Sequence, residues 1–375
     1  MKIGFDAKRA FLNKAGLGNY SRNTLMGLMK YHPQHQYLLY TPEFRTDLFK
    51  EYPFFETIHP AGSAFPFYKS FWRTFLLSGK IRKEGLDLFH GLSNELPAGI
   101  HRTKVPSVVT IHDLIFMNFP GLYKAVDRKI YFEKVRYACH ASGRIIATSR
   151  QTRNDLIYHL NVDPLKVEVI YQGISERFFL NHYMEDTDQV LKRYRLPSRF
   201  ILTVGTIEPR KNQLGVLRAI HRGNLDIPYV IVGKSTMYTE LIMEYIEKHG
   251  LHNRVFILTN VPDFELPALY QKAECMVYLS HYEGFGLPIV EAMACGCPVI
   301  TSSVSSLPEI GGEAVLYCNP DDEEALANLV SRVIENPALA KDMSRKGKKR
   351  AWDFHPENHV EALMDFYRKV ADHDE

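Results

Sequence analysis

Short apolar, β-branched runs alternate with longer stretches of helical periodicity, and they do so in two successive series along the chain. The first series predicts strands at residues 2–6, 37–40, 86–90, 107–112, 144–148 and 167–171. The second predicts them at 200–204, 229–232, 255–258, 275–278, 298–301 and 314–317. Strands that read as continuous apolar runs are buried on both faces, and the helices between them supply the cover, so the pattern requires parallel sheets. A chain of 375 residues is long for one core, and two doubly wound α/β domains of ordinary size accommodate both series. The polar, aperiodic stretch 172–195 reads as the linker, which sets the domains at about 1–178 and 190–355.

In such sheets ligands bind outside the carboxyl ends of the strands. Several chemistry-bearing residues fall there. Gly16-Leu17-Gly18-Asn19-Tyr20 follows the first strand and reads as a loop ahead of a helix; His112-Asp113 ends a middle strand of the first series. Gly205-Thr206-Ile207-Glu208-Pro209-Arg210-Lys211-Asn212 follows the first strand of the second series, and Gly233-Lys234 the next. The fourth strand of that series leads into Glu283-Gly284-Phe285-Gly286-Leu287-Pro288-Ile289-Val290-Glu291. Gly284 and Gly286 allow a tight turn and close approach of backbone to ligand. Pro288 suits the first turn of a helix. That places Glu283 in the loop and Glu291 on the helix, on either side of free N–H groups that favour a phosphate. A ligand with both phosphate and hydroxyl groups, such as a nucleotide-sugar, fits this arrangement. Lys211 and Arg210 oppose the dipole of the helix they precede, and a bound anion makes better sense of them than a solvated charged pair does.

Composition excludes several classes. A formal net charge of +3 gives no basis for nucleic-acid binding. The N-terminus carries no signal-peptide pattern, and no apolar run reaches membrane-spanning length. Cys139, Cys275, Cys295, Cys297 and Cys318 are odd in number and mostly lie in apolar segments, which reads as reduced packing cysteines in a cytoplasmic protein. Cys295 and Cys297 lack a second ligand pair nearby, so no metal is expected.

These residues together resemble the retaining glycosyltransferases of family 4, nearly end to end. The resemblance is carried by Gly16–Tyr20, Ile111-His112-Asp113-Leu114, Val169-Ile170-Tyr171-Gln172-Gly173, Val204–Asn212, Ser280–Pro288, Pro308-Glu309-Ile310-Gly311-Gly312 and the closing segment 352–368. It implies the GT-B fold: two Rossmann-like domains facing across a cleft, with a last helix (about 356–372) crossing back so that 356–375 completes the N-terminal domain. It implies a nucleotide-sugar donor on the C-terminal domain, a saccharide or lipid-linked acceptor mainly on the N-terminal one, and no cofactor or metal. Residue by residue, it implies that Glu291 accepts hydrogen bonds from ribose hydroxyls and that Glu283 lies by the transferred sugar. Backbone N–H groups of Phe285, Gly286 and Leu287 contact sugar or diphosphate, and Lys211 stabilises the diphosphate. His112 contacts the transferred sugar, and Gly16 and Gly18 lie near the donor phosphates. Many members carry arginine directly after the glycine where this chain has Thr206, and Arg210 is the candidate to replace it. The Glu208-Pro209-Arg210-Lys211-Asn212 version is most like mannosyltransferases of bacterial surface polysaccharides, which makes GDP-mannose the first donor expected and a UDP-hexose the alternative.

Other readings stay open on the sequence. The same architecture serves nucleotide-sugar epimerases, a paired Glu283 and Glu291 could hydrolyse a glycoside, and a non-catalytic sugar-binding protein could keep the fold. Asp113 and Glu309 read equally as caps. The aromatic segment 65–77 reads first as helix core and second as an acceptor or membrane-surface element. The basic run 341–350 reads first as a solvated helix face. Peripheral association with the inner membrane surface is compatible with both.

Overall fold

The computed structural model describes residues 1–45, 49, 55–60, 67–180 and 184–372. The chain divides into two compact units, Met1–Gly173 with Pro356–Glu375, and Ile174–His355.

The first unit is built on β1 (Lys2–Asp6), β2 (Gln36–Tyr40), β3 (Glu56–Ile58), β4 (Leu88–Gly91), β5 (Ser107–Ile111), β6 (Arg144–Ala147) and β7 (Val167–Val169), in the spatial order 3-2-1-4-5-6-7. Every adjacent pair is parallel. The second unit holds β8 (Ile201–Val204), β9 (Tyr229–Val232), β10 (Val255–Leu258), β11 (Cys275–Tyr278), β12 (Val299–Ser302) and β13 (Leu316–Cys318), in the order 10-9-8-11-12-13, again all parallel. Each of the twelve strands expected from the apolar runs is present, with ends displaced by no more than two residues. The addition is β3, a three-residue edge strand, too short to show a period. Two doubly wound sheets in one chain, with the last helix returned to the first unit, make the GT-B architecture.

Burial on both faces of the sheets explains the continuous apolar runs. In β1, Ile3 and Phe5 face one core that also holds Leu363, Met364, Phe366 and Tyr367 of the C-terminal helix, Pro356–Asp372. Tyr40, Phe89 and Val109 line the core on the opposite face. The returning helix approaches the Gly16–Tyr31 helix so closely that a Cβ on Gly27 would lie 2.8 Å from Val360 Cγ1. Polar side chains fix its register. Tyr367 Oη is 2.5 Å from His90 Nδ1, and His359 Nε2 is 3.0 Å from Thr24 Oγ1. All five cysteines are free and buried.

The stretch expected to be a linker is largely structured. Within 172–195 lie a 3₁₀ turn, Glu176–Phe179, and a helix, Met184–Arg193. That helix docks on Leu266–Lys272 of the same unit, with Lys272 Nζ 2.6 Å from Asp188 Oδ1. It is short and mostly polar, so only a single buried strip, including Val190 and Leu191, betrays it.

In each sheet the strand order reverses beside the first strand, between β1 and β4 and between β8 and β11. Crevices form at the carboxyl ends of such switch points, and both are occupied by ionisable side chains.

Candidate active site

In the second unit the chain leaving β8 turns through Gly205, whose φ of +143° is open to glycine and strained for other residues. It then runs to a 3₁₀ turn, Pro209–Lys211. Asn212, in the left-handed region, ends that turn and starts the Gln213–Arg222 helix. The chain leaving β11 reaches Ser280 and Glu283, then Gly286, which caps the Leu287–Ala294 helix at φ +106°. A Cβ on Gly286 would also meet Leu307 Cδ2 at 2.7 Å, so the position is reserved for glycine twice over. The two loops meet at Glu283.

Glu283 is buried, and three donors converge on its Oε1: Tyr278 Oη at 2.7 Å, Ser280 Oγ at 2.7 Å and Arg210 Nη1 at 2.8 Å. Lys211 Nζ stands 3.8 Å from the same oxygen and donates to Tyr278 Oη at 3.1 Å. Burial alone would raise the carboxyl, but Lys211, Arg210 and the two hydroxyls hold it at about 2. Arg210 is itself buried and pairs with Glu208 as well as Glu283. Its guanidinium therefore faces two carboxylates, while Lys211 keeps donor capacity. The loop is pinned from behind: the Glu283 N–H donates to Ser305 Oγ at 3.0 Å, and Ser306 Oγ donates to the carbonyls of Glu283 and Phe285, each at 2.9 Å. The Phe285 ring packs on Phe354, with centroids 5.7 Å apart.

Glu291 lies on the same helix in different surroundings. Burial pushes its carboxyl up to about 7, and the Tyr270 hydroxyl, donating to Oε2 at 3.0 Å, only partly offsets this. The two glutamates of one sequence block therefore differ in charge near neutrality.

His112 belongs to the first unit, one residue beyond β5. Its Nε2 lies 2.9 Å from the Leu92 carbonyl, which can only accept, so Nε2 carries the proton and Nδ1 is left as an acceptor. Its backbone N–H donates to Asn94 Oδ1 at 2.8 Å, and Tyr20 packs edge-on against the ring at 4.6 Å. Burial lowers the imidazole to about 4, so it is neutral at physiological pH. Asp113 Oδ1 accepts from the Ile115 N–H at 3.1 Å, the capping role.

Gly16 and Gly18 were expected in a loop. They lie instead in the first turn of the Gly16–Tyr31 helix, which starts from Ala15. Glycine is a poor helix former, but a Cβ on Gly18 would fall 1.8 Å from the Asn13 carbonyl oxygen, and close packing overrides propensity. Glu309, which reads from the sequence equally as a cap, sits in a short helix, Leu307–Gly311, and its carbonyl accepts from Arg350. Thr206 offers its carbonyl to Gln213 Nε2 at 2.9 Å. Tyr278, Ser280 and Tyr270 were not singled out from the sequence. Ser280, three residues before Glu283 and at a strand exit, carried a usable signal. Tyr278 and Tyr270 read as ordinary core aromatics.

Residues 15–178 match the family described as Glycosyltransferase Family 4, and residues 186–350 match Glycosyl transferases group 1. The O-antigen chain mannosyltransferase B of Escherichia coli is 31% identical over 75% of this chain and 74% of its own length. The chain belongs to this glycosyltransferase family. The serotype-specific mannosyltransferase WbdA of Escherichia coli is 29% identical over 69% of this chain, which spans only 33% of that longer protein. Among solved structures, Anabaena HepE in complex with UDP superposes with a TM-score of 0.77 at 18% identity, covering 98% of this chain and 100% of that one.

Proposed function

We propose that this glycosyltransferase moves a hexose, in the first instance mannose from GDP-mannose, to a hydroxyl of a saccharide or lipid-linked saccharide, with retention of anomeric configuration, in surface-polysaccharide synthesis. The mannosyltransferase names of its relatives support the sugar. The observation that carries the reaction is the placement of Lys211 at the switch point of the second unit. Arg210 is committed to Glu208 and Glu283, so Lys211 is the cation with capacity for the diphosphate, where it offsets charge developing on the leaving group. Glu283, locked by three donors, serves as a fixed anion beside the sugar rather than as a nucleophile. The C1–phosphate bond breaks and the acceptor oxygen bonds C1 on the same face. The acceptor proton passes to the departing phosphate oxygen, and the nucleoside diphosphate leaves. Neutral His112, with Nδ1 as acceptor, holds a sugar hydroxyl, and Glu291 accepts from the ribose. Gly16 and Gly18 approach the donor phosphates; Gly205, Thr206, Gly284, Phe285, Gly286 and Leu287 supply backbone around the donor.

The test combines thermal shifts with GDP, UDP, ADP and their hexose forms and a transfer assay with Lys211→Ala. Stabilisation grows with ligand concentration over Kd. GDP-mannose is expected to give the largest shift, and Lys211→Ala to slow transfer on the order of 10²–10³-fold. A UDP preference overturns the donor, and near-normal transfer by Lys211→Ala overturns the role of the lysine.

One observation favours a second reading. Glu283 held at about 2 and Glu291 raised to about 7 is the division expected of a base and an acid. Cleavage of a nucleotide-free glycoside would establish that reading; none is expected.

Association with a membrane surface is proposed for the first unit. The expectation that 65–77 is helix core fails for much of its aromatic content: Trp72 and Leu77 are buried, but Phe67 is 83% exposed, Phe75 is 58% exposed and Phe71 is 50% exposed. Phe65 and Pro66 lie outside the described residues. No helix among the described residues is long and apolar enough to cross a membrane; the proposed contact is peripheral, from the cytoplasmic side. Co-sedimentation with anionic vesicles, lost in Phe71→Ser/Phe75→Ser, is the expected outcome. The basic run 341–350 is partly neutralised within its own helix, where Asp342 pairs with Arg345 and Lys346.

A further inference from the structure

The switch point of the first sheet holds an ionic cluster that the transfer chemistry does not use. Asp6 ends β1, and the buried Arg73 binds it through Nε at 2.8 Å while also pairing with Glu95 in the segment after β4. Lys134 approaches Glu95 at 3.3 Å. Both carboxylates are thereby satisfied. Two further cations enter the same crevice from the residues directly after β1. Lys8, whose backbone N–H donates to Asp6 Oδ1 at 3.3 Å, and Arg9 are both half-buried. Neither side chain makes a hydrogen bond or ion pair among the described residues. Burial, with Arg73 and Arg9 nearby, depresses the basicity of Lys8, and Glu95 and Asp6 offset part of that effect. Arg9 lies near enough to His112 to add to the burial that keeps that imidazole neutral. Lys8, Arg9 and Arg73 share the crevice with two carboxylates, Asp6 and Glu95, which leaves at least one positive charge in excess, and partial desolvation weakens the screening of that excess.

From this arrangement we propose that Lys8 and Arg9 form an anion subsite for the acceptor, which carries a phosphate or carboxylate close to the saccharide that is extended. Arg73 is the scaffold of that subsite: Asp6 and Glu95 hold its guanidinium, and its charge sets the local field without contacting the ligand. Lys8 contributes a compact ammonium, and Arg9 a fork able to bind two oxygens of one phosphate. Location at the carboxyl ends of β1 and β4 is where a doubly wound sheet receives its ligand. The inference rests on the transferase reading for the word acceptor, but the anion site itself does not depend on turnover.

Two probes with one sugar separate the alternatives: octyl α-mannoside, which is neutral, and octyl α-mannosyl phosphate, which carries one negative charge. Each is titrated calorimetrically into the full chain with the nucleotide site saturated by GDP. The phosphate probe is expected to bind at least tenfold more tightly, with the advantage shrinking as salt rises. Lys8→Met and Arg9→Met are each expected to remove most of that advantage while leaving the thermal shift with GDP unchanged. Lys14→Met, which deletes the same charge from an exposed position in the next turn of chain, is the control and is expected to keep it. Equal affinity of wild type for the two probes, or equal losses for both probes in the Lys8 and Arg9 variants, overturns the subsite. If the phosphate probe binds selectively but neither probe is glycosylated with any donor of the nucleotide panel, the subsite stands and the transferase reading fails instead.

Discussion

The two switch points solve one electrostatic problem with opposite sequence economies. In the second unit a buried arginine, Arg210, is neutralised by Glu208 two residues before it and by Glu283. In the first, Arg73 is neutralised by Asp6 and Glu95, which come from separate stretches of chain. Each crevice then retains cations beyond the neutralised arginine: Lys211 in one, Lys8 and Arg9 in the other. The difference teaches how to divide such clusters. An arginine with two carboxylates on it is scaffold, since separating a buried pair costs far more than the pair contributes; the remaining cation is what a ligand anion meets.

Breaking the scaffold on the donor side should have the largest effect. Glu283→Ala leaves Arg210 facing a vacated pocket, and a loss of about 3–5 kcal/mol in stability with no detectable transfer is expected from denaturant unfolding and assay together. Stability within a few tenths of wild type would mean that Arg210 had found another partner and that the division is wrong. Arg73→Met should lose a comparable amount, about 3 kcal/mol, by stranding Asp6 and Glu95, yet leave the affinity for nucleoside diphosphates unchanged if the second unit binds them as proposed. Lys211→Ala should reverse that signature. Its melting temperature should stay near wild type while kcat falls on the order of 10²–10³-fold, the range for removing one charge-stabilising donor.

The smallest effect expected is a pH dependence. Glu291, raised to about 7 in the folded chain, binds its proton more tightly there than in the unfolded chain, so its contribution to stability is complete below the ordinary glutamate range and is lost as pH rises through 7. Glu291→Gln should therefore match wild type at pH 5 and exceed it by about 2 kcal/mol at pH 8 without ligand, while binding nucleotide more weakly. Ribose hydroxyls donate to the ionised form, so wild-type nucleotide affinity should rise between pH 6 and 8 and then level. A flat profile would place the ribose elsewhere.

Legibility follows the same division. The Gly205–Asn212 and Glu283–Glu291 blocks were readable because each is contiguous and each carries a glycine with a backbone reason: Gly205 and Gly286 both occupy positive φ. The convergence of Tyr278, Ser280 and Arg210 on one oxygen of Glu283 was not, since Arg210 and Glu283 approach only when β8 and β11 pair. Gly16 and Gly18 misled: Gly18 is demanded by close packing inside a helix, and in one sequence that looks like a glycine demanded by a loop. The aromatic segment 65–77 misled for a related reason: a helix turn presents its rings to core or to solvent according to what packs on it, and its composition is the same in both cases.

The sequence by itself determined the two parallel sheets, because burial on both faces leaves no choice but continuous apolar strands, and it marked where the chain turns after β8 and β11, because positive φ at Gly205 and Gly286 admits little but glycine. Tertiary structure alone decided the charges those loops present. Whether Glu283 is held ionised, Glu291 raised to titrate near neutrality or His112 held neutral depends on burial and on partners brought from distant strands, and neither quantity is local to the residues concerned.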